Sequence, residues 1–370
     1  MVTRLTWTAA VAAGLFLPAV LHGAAGATAP GAPTEPALVI APPAAAGNED
    51  VFPTVERLLQ PPPCAVVACA ANPADPSCCR AGFIAYGDYL NWKASQTGLD
   101  YATVVNPVTL TPIATAELDL QRASGLRAGI GYRFPGTNCD LTWNYTHFQS
   151  DDQRSLVANG VTTTLLSTRS FFSAMPMNSV EADDSLKLNI HDFEVNWRSW
   201  LNDAVGFRAF GSVRWAMIDQ DFNSNYTYLN AVQGVIHLPT DMDAEGLRLG
   251  SEFQWRSAWG FRVFGRGAAS VLVADFKSQR QEMDSLHGVI LDAPQQATRV
   301  VPVVEAAAGV AWSQGPWEVS AGYEMSDWFN MVPVGGVPSA VMGGVGNGPL
   351  PVTEQSLFID GFFLRLTFVH

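Results

Sequence analysis

Beyond its first residues the sequence has no long apolar run, and charged residues are scarce throughout. Charged side chains make up 15% of the 370 residues, whereas hydrophobic ones make up 48%. A helix that crosses a membrane needs about 20 consecutive apolar residues, and no stretch after Leu21 approaches that length. Because only helices and closed barrels satisfy all their backbone hydrogen bonds in lipid, a membrane form of the remaining chain has to be a barrel.

Basic residues and enzyme motifs are also lacking. The 21 Lys and Arg residues are outnumbered by 34 Asp and Glu residues, which gives a net charge of −13. Nucleic-acid binding needs a basic surface, so the composition argues against nucleic acid as a partner. The sequence contains no HExxH, no GxSxG and no phosphate-binding loop. We therefore expect no enzyme activity, no cofactor and no metal site.

The N-terminal 80 residues predict an exported protein with a linker. Arg4 precedes the mostly apolar segment Leu5–Leu21, and small residues follow up to Ala27. This order is typical of a signal peptide over residues 1–27. A short membrane anchor is the alternative, but the apolar run is brief and has no basic flank. Residues 28–80 are rich in Pro and Ala and predict a flexible periplasmic linker.

Four of the five cysteines lie in this linker. They are Cys64, Cys69, Cys78 and Cys79, whereas Cys139 lies far along the chain. In an oxidising compartment such a cluster predicts disulfides. A zinc site is a weaker interpretation, because no histidine is near and adjacent cysteines do not match zinc-finger spacing. The connectivity, within or between molecules, stays open.

A hairpin pattern between residues 126 and 148 recurs along residues 81–370. Apolar residues from Leu126 to Phe134 alternate with arginine and glycine, a Pro-Gly-Thr-Asn turn follows, and alternation resumes from Leu141 to Tyr145. Period-two alternation on both sides of such a turn predicts a β-hairpin. Further hairpins turn near residues 201, 257 and 313. With a first strand at Phe83–Lys93 and a last one ending at Phe368, about ten strands result, with twelve as the alternative.

These strands predict an all-β, transmembrane, up-and-down antiparallel β-barrel. Short turns alternate with long polar segments over residues 149–186, 219–245 and 277–297, which matches the short periplasmic turns and long external loops of outer-membrane barrels. A soluble barrel or sandwich would also alternate. Aromatic residues near strand ends favour the membrane form; they are Trp92, Tyr132, Phe134, Trp197, Trp200, Trp255, Trp259, Phe261, Trp312 and Trp317.

Energetics determine which face of each strand meets lipid. An arginine facing lipid at mid-membrane costs about 2–4 kcal/mol, so we expect the apolar faces to point outward and the charged faces into the lumen. In the first strand Ile84, Tyr86, Leu90 and Trp92 share the apolar face, which Asp88 interrupts. The predicted lumen-lining residues are Arg127, Arg133, Asp140, Glu194, Arg208, Arg214, Arg248, Glu252, Arg262, Arg266, Glu305, Glu324 and Arg365. Asp192, Arg198, Arg256 and Glu318 are expected on the same charged faces.

Two interpretations of this lumen remain open. It is either an ion-pair network that fills a narrow barrel or a weakly basic constriction that passes small anions. A barrel of about ten strands is only slightly wider than an eight-stranded one, whose side chains nearly fill the interior. The strand count therefore favours a packed or very narrow interior.

Short motifs in several strands resemble the Legionella-type pore-forming major outer membrane protein family. They are YGDYLNW at residues 86–92, HDFEV at 191–195, FGSVRWAMID at 210–219, GYEMSDWFN at 322–330 and FIDGFFLRLTF at 358–368. The resemblance implies an outer-membrane β-barrel with a pore-forming role and offers no catalytic residues. The sequence departs from the usual aromatic C-terminus of outer-membrane proteins, because Val369 and His370 follow Phe368.

The sequence thus predicts a porin-like protein of the bacterial outer membrane, a narrow pore or channel for small solutes or ions. The alternative is a non-conducting structural or adhesive barrel that displays external loops. The expected partners are outer-membrane lipid, the barrel-assembly machinery and small solutes or ions.

The assignment of faces can be tested on the first hairpin. Ile130→Arg should block membrane assembly, because it places a charge on the lipid side. Arg127→Ala should leave folding intact and change conductance or ion preference. Heat-modifiable migration on gels reports assembly, and normal assembly of the Ile130→Arg protein would reverse the two faces.

Overall fold

The computed structural model describes residues 82–135, 137–160, 162–170, 175–228, 232–257, 259–332 and 355–370. The expected signal peptide, linker and linker cysteines lie outside these residues. Thirteen strands are described: β1 Gly82–Gln96, β2 Asp100–Val105, β3 Pro112–Glu117, β4 Ala123–Arg133, β5 Cys139–Val157, β6 Thr164–Ser167, β7 Met177–Trp200, β8 Val205–Tyr228, β9 Val232–Arg256, β10 Phe261–Asp284, β11 Gly288–Gln314, β12 Trp317–Met331 and β13 Gln355–Val369. Within these ranges, no helix is long and apolar enough to cross a membrane.

Ten of the thirteen strands form a closed antiparallel ring. The order around the ring is β7, β5, β4, β1, β13, β12, β11, β10, β9 and β8, and β8 pairs back with β7. The first and last strands meet, with Ile84 opposite Val369. The predicted barrel is therefore confirmed, and the ring contains the predicted ten strands. The other three strands extend the same sheet, since β6 pairs with β7 and β2 pairs with both β6 and β3.

The two ends of the ring differ. One end, here called the inner end, carries the short connections after β4, β7, β9 and β11 together with Gly82 and His370. At this end the His370 N–H donates to the Phe83 carbonyl oxygen over 3.0 Å. The opposite, outer end carries β2, β3 and β6 and the connections of β8 to β9 and of β10 to β11. The connections at the inner end are short, as predicted.

Most of the polar segments expected to be outer loops are continued strands. Strand β8 runs on to Tyr228 and β9 resumes at Val232, while β10 reaches Asp284 and β11 begins at Gly288. Residues 219–245 and 277–297 are therefore long hairpins, with Asp219 paired to Asp241.

A reversal of polarity along each strand explains why these strands were missed. On the inner half of β8, Trp215 is 53% exposed on the outward face and Arg214 is buried inside. On the outer half the order is opposite, because Ile218 and Phe222 are buried inside and Asp219 is exposed. Even-numbered residues of β8 point inward in both halves, but these inward residues are mostly polar in the inner half and mostly apolar in the outer half. A sequence window that spans the reversal therefore shows no consistent alternation of apolar and polar residues, although the backbone continues as a strand.

The inner half of the ring presents an outward apolar belt. Its side chains are large, hydrophobic and exposed to an extent that a soluble monomer rarely shows. Members include Leu126, Ile130, Leu141, Phe193, Val213, Trp215, Leu247, Leu249, Phe253, Trp255, Phe261, Val263, Val271, Val304, Val310, Trp312, Trp317, Val319, Phe362, Leu364 and Leu366. Ile130 is 59% exposed there, on the side where the sequence placed it.

The outer half of the ring contains an apolar core instead. Inward side chains from most of the ring strands form one buried hydrophobic cluster, and many of them have no solvent exposure at all. We call this cluster the apolar layer; it includes Leu90, Phe148, Leu188, Ile218, Phe222, Leu272, Val301, Trp328 and Leu357. The outer half is thus built like a soluble barrel, with apolar residues inside and polar residues outside.

Strand β1 does not follow the expected assignment of faces. Its apolar set points inward: Ile84, Leu90 and Trp92 are buried, whereas Phe83 and Tyr89 are exposed on the belt side. The reason is Asp88, which is 1% exposed and must stay inside to pair with arginines. Placing Trp92 in an outer aromatic girdle was therefore wrong.

Asp184, on the inward face of β7 beyond the belt, predicts a pH-dependent stability. It is 1% exposed, accepts one hydrogen bond from Gln220 Nε2 over 2.9 Å, and its Oδ1 has no partner. Burial raises the pKa of the Asp184 carboxyl from 3.8 to about 7. The folded protein therefore holds a proton that the unfolded chain has lost, and stability falls as the pH rises from about 4 through 7.

Asp184→Asn should remove this dependence. The variant should be more stable than wild type at pH 8, by a few kcal/mol at about 1.4 kcal/mol per pKa unit, and equal to it below pH 4 in urea unfolding of the detergent-folded protein. Parallel pH profiles for the two proteins would contradict the prediction.

Candidate functional site: a charged cavity inside the barrel

A cavity of about 750 Å³ lies inside the inner half of the ring. Its lining reaches the inner rim at Gly315, Pro316 and His370, and at the other end it meets Trp92 and Trp328 of the apolar layer. The structure places every predicted lumen residue around this one cavity: Arg127, Arg133, Asp140, Glu194, Arg208, Arg214, Arg248, Glu252, Arg262, Arg266, Glu305, Glu324 and Arg365. Side chains that lie far apart in the sequence converge because alternate residues of ten strands point inward.

One ion-pair chain joins the first and last strands. Arg365 donates to both carboxylate oxygens of Asp88, over 2.7 Å and 2.8 Å. Arg127 bridges Asp88 and Glu324, with 3.1 Å to an oxygen of each. Glu324 also accepts from Arg266 over 3.1 Å. Asp88 is therefore enclosed by two guanidinium groups, which compensates for its complete burial. The expectation that Arg127→Ala leaves folding intact is corrected by this geometry, because the substitution removes a partner of two buried carboxylates and should destabilise the barrel.

A second chain lies across the barrel on β7 to β11. Arg214 makes a bidentate pair with Asp192, over 2.8 Å and 2.9 Å. Glu305 accepts from Arg214 over 2.7 Å and from Arg248 over 2.6 Å. Arg248 then reaches Glu194 over 2.9 Å. Bidentate and bridging geometry of this kind gives the strongest arginine–carboxylate contacts.

Together the two chains form a charge-balanced layer, the belt tier. It has five arginines, at 127, 214, 248, 266 and 365, and five carboxylates, at 88, 192, 194, 305 and 324. It lies at the level of the outward apolar belt, since Arg127 and Arg214 alternate with belt residues on β4 and β8.

A second layer, the inner tier, lies nearer the rim and is not balanced. It contains Arg133, Arg198, Arg208, Arg256 and Arg262, but only three carboxylates, Asp140, Glu252 and Glu318. Its contacts are looser: Arg208 and Arg262 lie 3.6 Å and 3.4 Å from Glu252. Arg198 approaches Asp140 at 2.9 Å, and Arg262 also pairs with Glu318. The positive surplus of the interior is therefore located at its inner end.

Three interior residues escaped the sequence analysis as site residues: Asp88, Tyr86 and Trp200. Asp88 was read as an interruption of an apolar face, although a lone acid on such a face was itself the signal. Tyr86, beside it, lies under the Arg365 guanidinium at 4.2 Å from the ring centroid and donates a hydrogen bond to Asn144. Trp200, expected in the aromatic girdle, lines the cavity and lies under Arg256 at 4.5 Å.

Two further features of the described residues bear on chemistry. None of their His, Cys, Asp and Glu side chains form a group of three or more that could hold a metal ion. Cys139 is buried at the start of β5 and is disulfide-bonded.

A closed ring of ten antiparallel strands with an apolar outer belt and a charged interior defines a β-barrel of the bacterial outer membrane. The family model described as the Legionella pneumophila major outer membrane protein precursor matches residues 76–370. The chain belongs to this family, which confirms the resemblance seen in its motifs and its outer-membrane location.

Three solved structures have a low similarity to this chain. The outer membrane protease OmpT from Escherichia coli is 7% identical, with 78% of this chain and 97% of that chain covered and a TM-score of 0.48. The Pseudomonas putida toluene transporter TodX is 8% identical (81% and 92% covered, TM-score 0.26), as is a Pseudomonas aeruginosa FadL homologue (78% and 90%, TM-score 0.21). At such identities neither activity transfers to this chain. A comparison with curated proteins gives no match.

The belt tier predicts a large cost for removing its bridging acid. Glu305→Gln should leave Arg214 and Arg248 partly uncompensated and destabilise the barrel by roughly 3 kcal/mol, as for other broken buried pairs. Urea unfolding in detergent measures this change.

Glu181→Gln is the matched control. Glu181 is exposed on β7 and contacts Gln153 over 2.7 Å, so its replacement should change stability by less than about 0.5 kcal/mol. Equal effects of the two substitutions would show that the belt tier contributes no special stability.

Proposed function

We propose that this outer-membrane barrel is a narrow pore for small solutes or ions. The charged cavity is its inner vestibule, and the apolar layer is its gate. The observation that carries the proposal is the cavity itself, about 750 Å³ of charge-lined space that reaches the inner rim.

The chemistry of the lining supports a transport path over a purely structural interior. Replacing buried ion pairs by well-packed hydrophobic residues is often neutral or stabilising, so such pairs are weak evidence for a stability role. Ten arginines and seven carboxylates line the cavity, and they keep the inner half of the barrel hydrated. A hydrated, charged lining is what a permeating ion needs in place of bulk water.

The apolar layer supplies the barrier of the proposed pore. Leu90, Leu272 and Leu357 are fully buried at this level, and hydrophobic constrictions gate pores by excluding water. The resting pore is therefore closed at its outer half, and small solutes pass only when this layer opens. Low conductance with brief openings is the expected behaviour.

Trp328→Ala tests the gate. Trp328 is 1% exposed, is the largest fully buried side chain, and lines the outer end of the cavity. Removing the indole should widen the constriction and raise single-channel conductance in planar bilayers at least about twofold, since pore dimensions set the flow.

Trp312→Ala is the control, because Trp312 is 42% exposed on the outward face and its loss should leave conductance unchanged. Both proteins must show heat-modifiable migration before they are compared. Silence of wild type and of the folded Trp328→Ala protein would contradict the pore.

A non-conducting surface barrel is the second candidate, and the apolar layer favours it. A dry, packed outer half extends beyond the belt and carries β2, β3 and β6, an arrangement that also suits a rigid stalk for display or adhesion. Both candidates share outer-membrane lipid and the barrel-assembly machinery as partners, and neither assigns a catalytic step to the chain.

A further inference from the structure

We infer that the inner tier is a binding site for a multivalent oxyanion of the inorganic phosphate type. The inference goes beyond a pore function, since the site lies at the inner rim and can be occupied whether or not the apolar layer opens. Three observations carry it: an unpartnered buried arginine, a like-charge pair across two strands, and a surplus of positive charge.

Arg133 is the first observation. It is 8% exposed, lines the cavity from the inner end of β4, and makes no hydrogen bond or ion pair with the side chains of the described residues. Its cross-strand neighbour Asp140 lies 2.9 Å from Arg198 instead. The Arg133 guanidinium therefore faces the cavity without a carboxylate partner among the described residues, so the position is one that a bound anion would stabilise.

The second observation is the direct pairing of Arg198 with Arg208. The two residues are opposite each other in the β7–β8 register, and both line the cavity. Like charges directly opposite on neighbouring strands are destabilising. Asp140 and Glu252 relieve the pair in part, but Glu252 is 3.6 Å from Arg208 and is shared with Arg262.

The third observation concerns charge and donors. The Nε–H groups of Arg198, Arg208 and Arg262 have no hydrogen-bond partner among the described residues, but they are fully buried, so a ligand in the cavity reaches only the terminal nitrogens of these side chains. Guanidinium groups present planar donors that fit the oxygens of phosphate. An oxyanion with two negative charges matches the surplus of two positive charges in the tier, whereas chloride offers one charge and no fork geometry.

Calorimetric titration of inorganic phosphate into the detergent-folded full chain at low salt tests the site. Wild type should bind one phosphate per barrel with saturation. The double variant Arg198→Gln, Arg208→Gln should lose at least about tenfold in affinity, because it removes two charged hydrogen-bond donors from the site. Arg122→Gln is the matched control, since Arg122 is exposed and donates to the Asn91 carbonyl oxygen at 3.0 Å, away from the cavity.

Three results would overturn the site: no saturable binding by wild type, wild-type affinity in the folded double variant, or an equal loss in Arg122→Gln. Arg133→Gln, with a single substitution, gives a second readout if the double variant does not fold, and it should also weaken phosphate binding. Conductance separates this inference from the pore. If the barrel binds phosphate but shows no conductance, the binding site is supported and the pore is contradicted. If the barrel conducts but binds no phosphate, the pore is supported and the binding site is contradicted.

Discussion

The pairing of arginine with carboxylate inside the ring is the interaction on which the rest of the structure depends. Lipid excludes these charges from the outward face, so the charged residues of the inner half point into the interior, where most of them pair. Asp88 meets Arg365 from the opposite end of the chain, and this contact joins the first and last strands where the ring closes. The belt tier therefore fixes the register of closure and leaves the cavity, with its surplus of arginine, below it.

Because polarity reverses along the strands, the barrel has an inner half that is surrounded by lipid and an outer half that is surrounded by water. Where lipid surrounds the ring, the interior must be polar, because the apolar side chains are needed outside. Beyond the belt, water surrounds the ring and the apolar side chains move inside, as Phe222 and Leu272 do. The apolar layer is thus a consequence of strand length, and its position directly above the charged cavity is the reason why it is the gate in the proposed pore.

Much of the fold and of the site was predictable from local patterns. The orientation of β4 follows from Arg127 and Ile130, which lie on opposite faces, and that of β8 follows from Arg214 and Trp215. In each strand the arginine has to face the lumen, because an arginine that faces lipid is costly. The outer halves were not predictable in the same way. Asp219 and Asp241 break the apolar alternation, and only backbone pairing between them shows that the strands continue. The faces of strand β1 were also assigned wrongly, because its apolar face points inward together with Asp88.

By itself, the sequence determined the class of protein, a ring of about ten strands and the charged residues that face the lumen on β4 to β13, but not Asp88 on β1. Each of these follows from period-two alternation and from transfer costs that act on one residue at a time. Only the tertiary structure decided that the belt tier is charge-balanced, that Arg133 lacks a partner and that an apolar layer closes the cavity. These features depend on which side chains meet across the barrel, and contacts such as that between Arg365 and Asp88, 277 residues apart, are set by closure of the ring and by no local pattern.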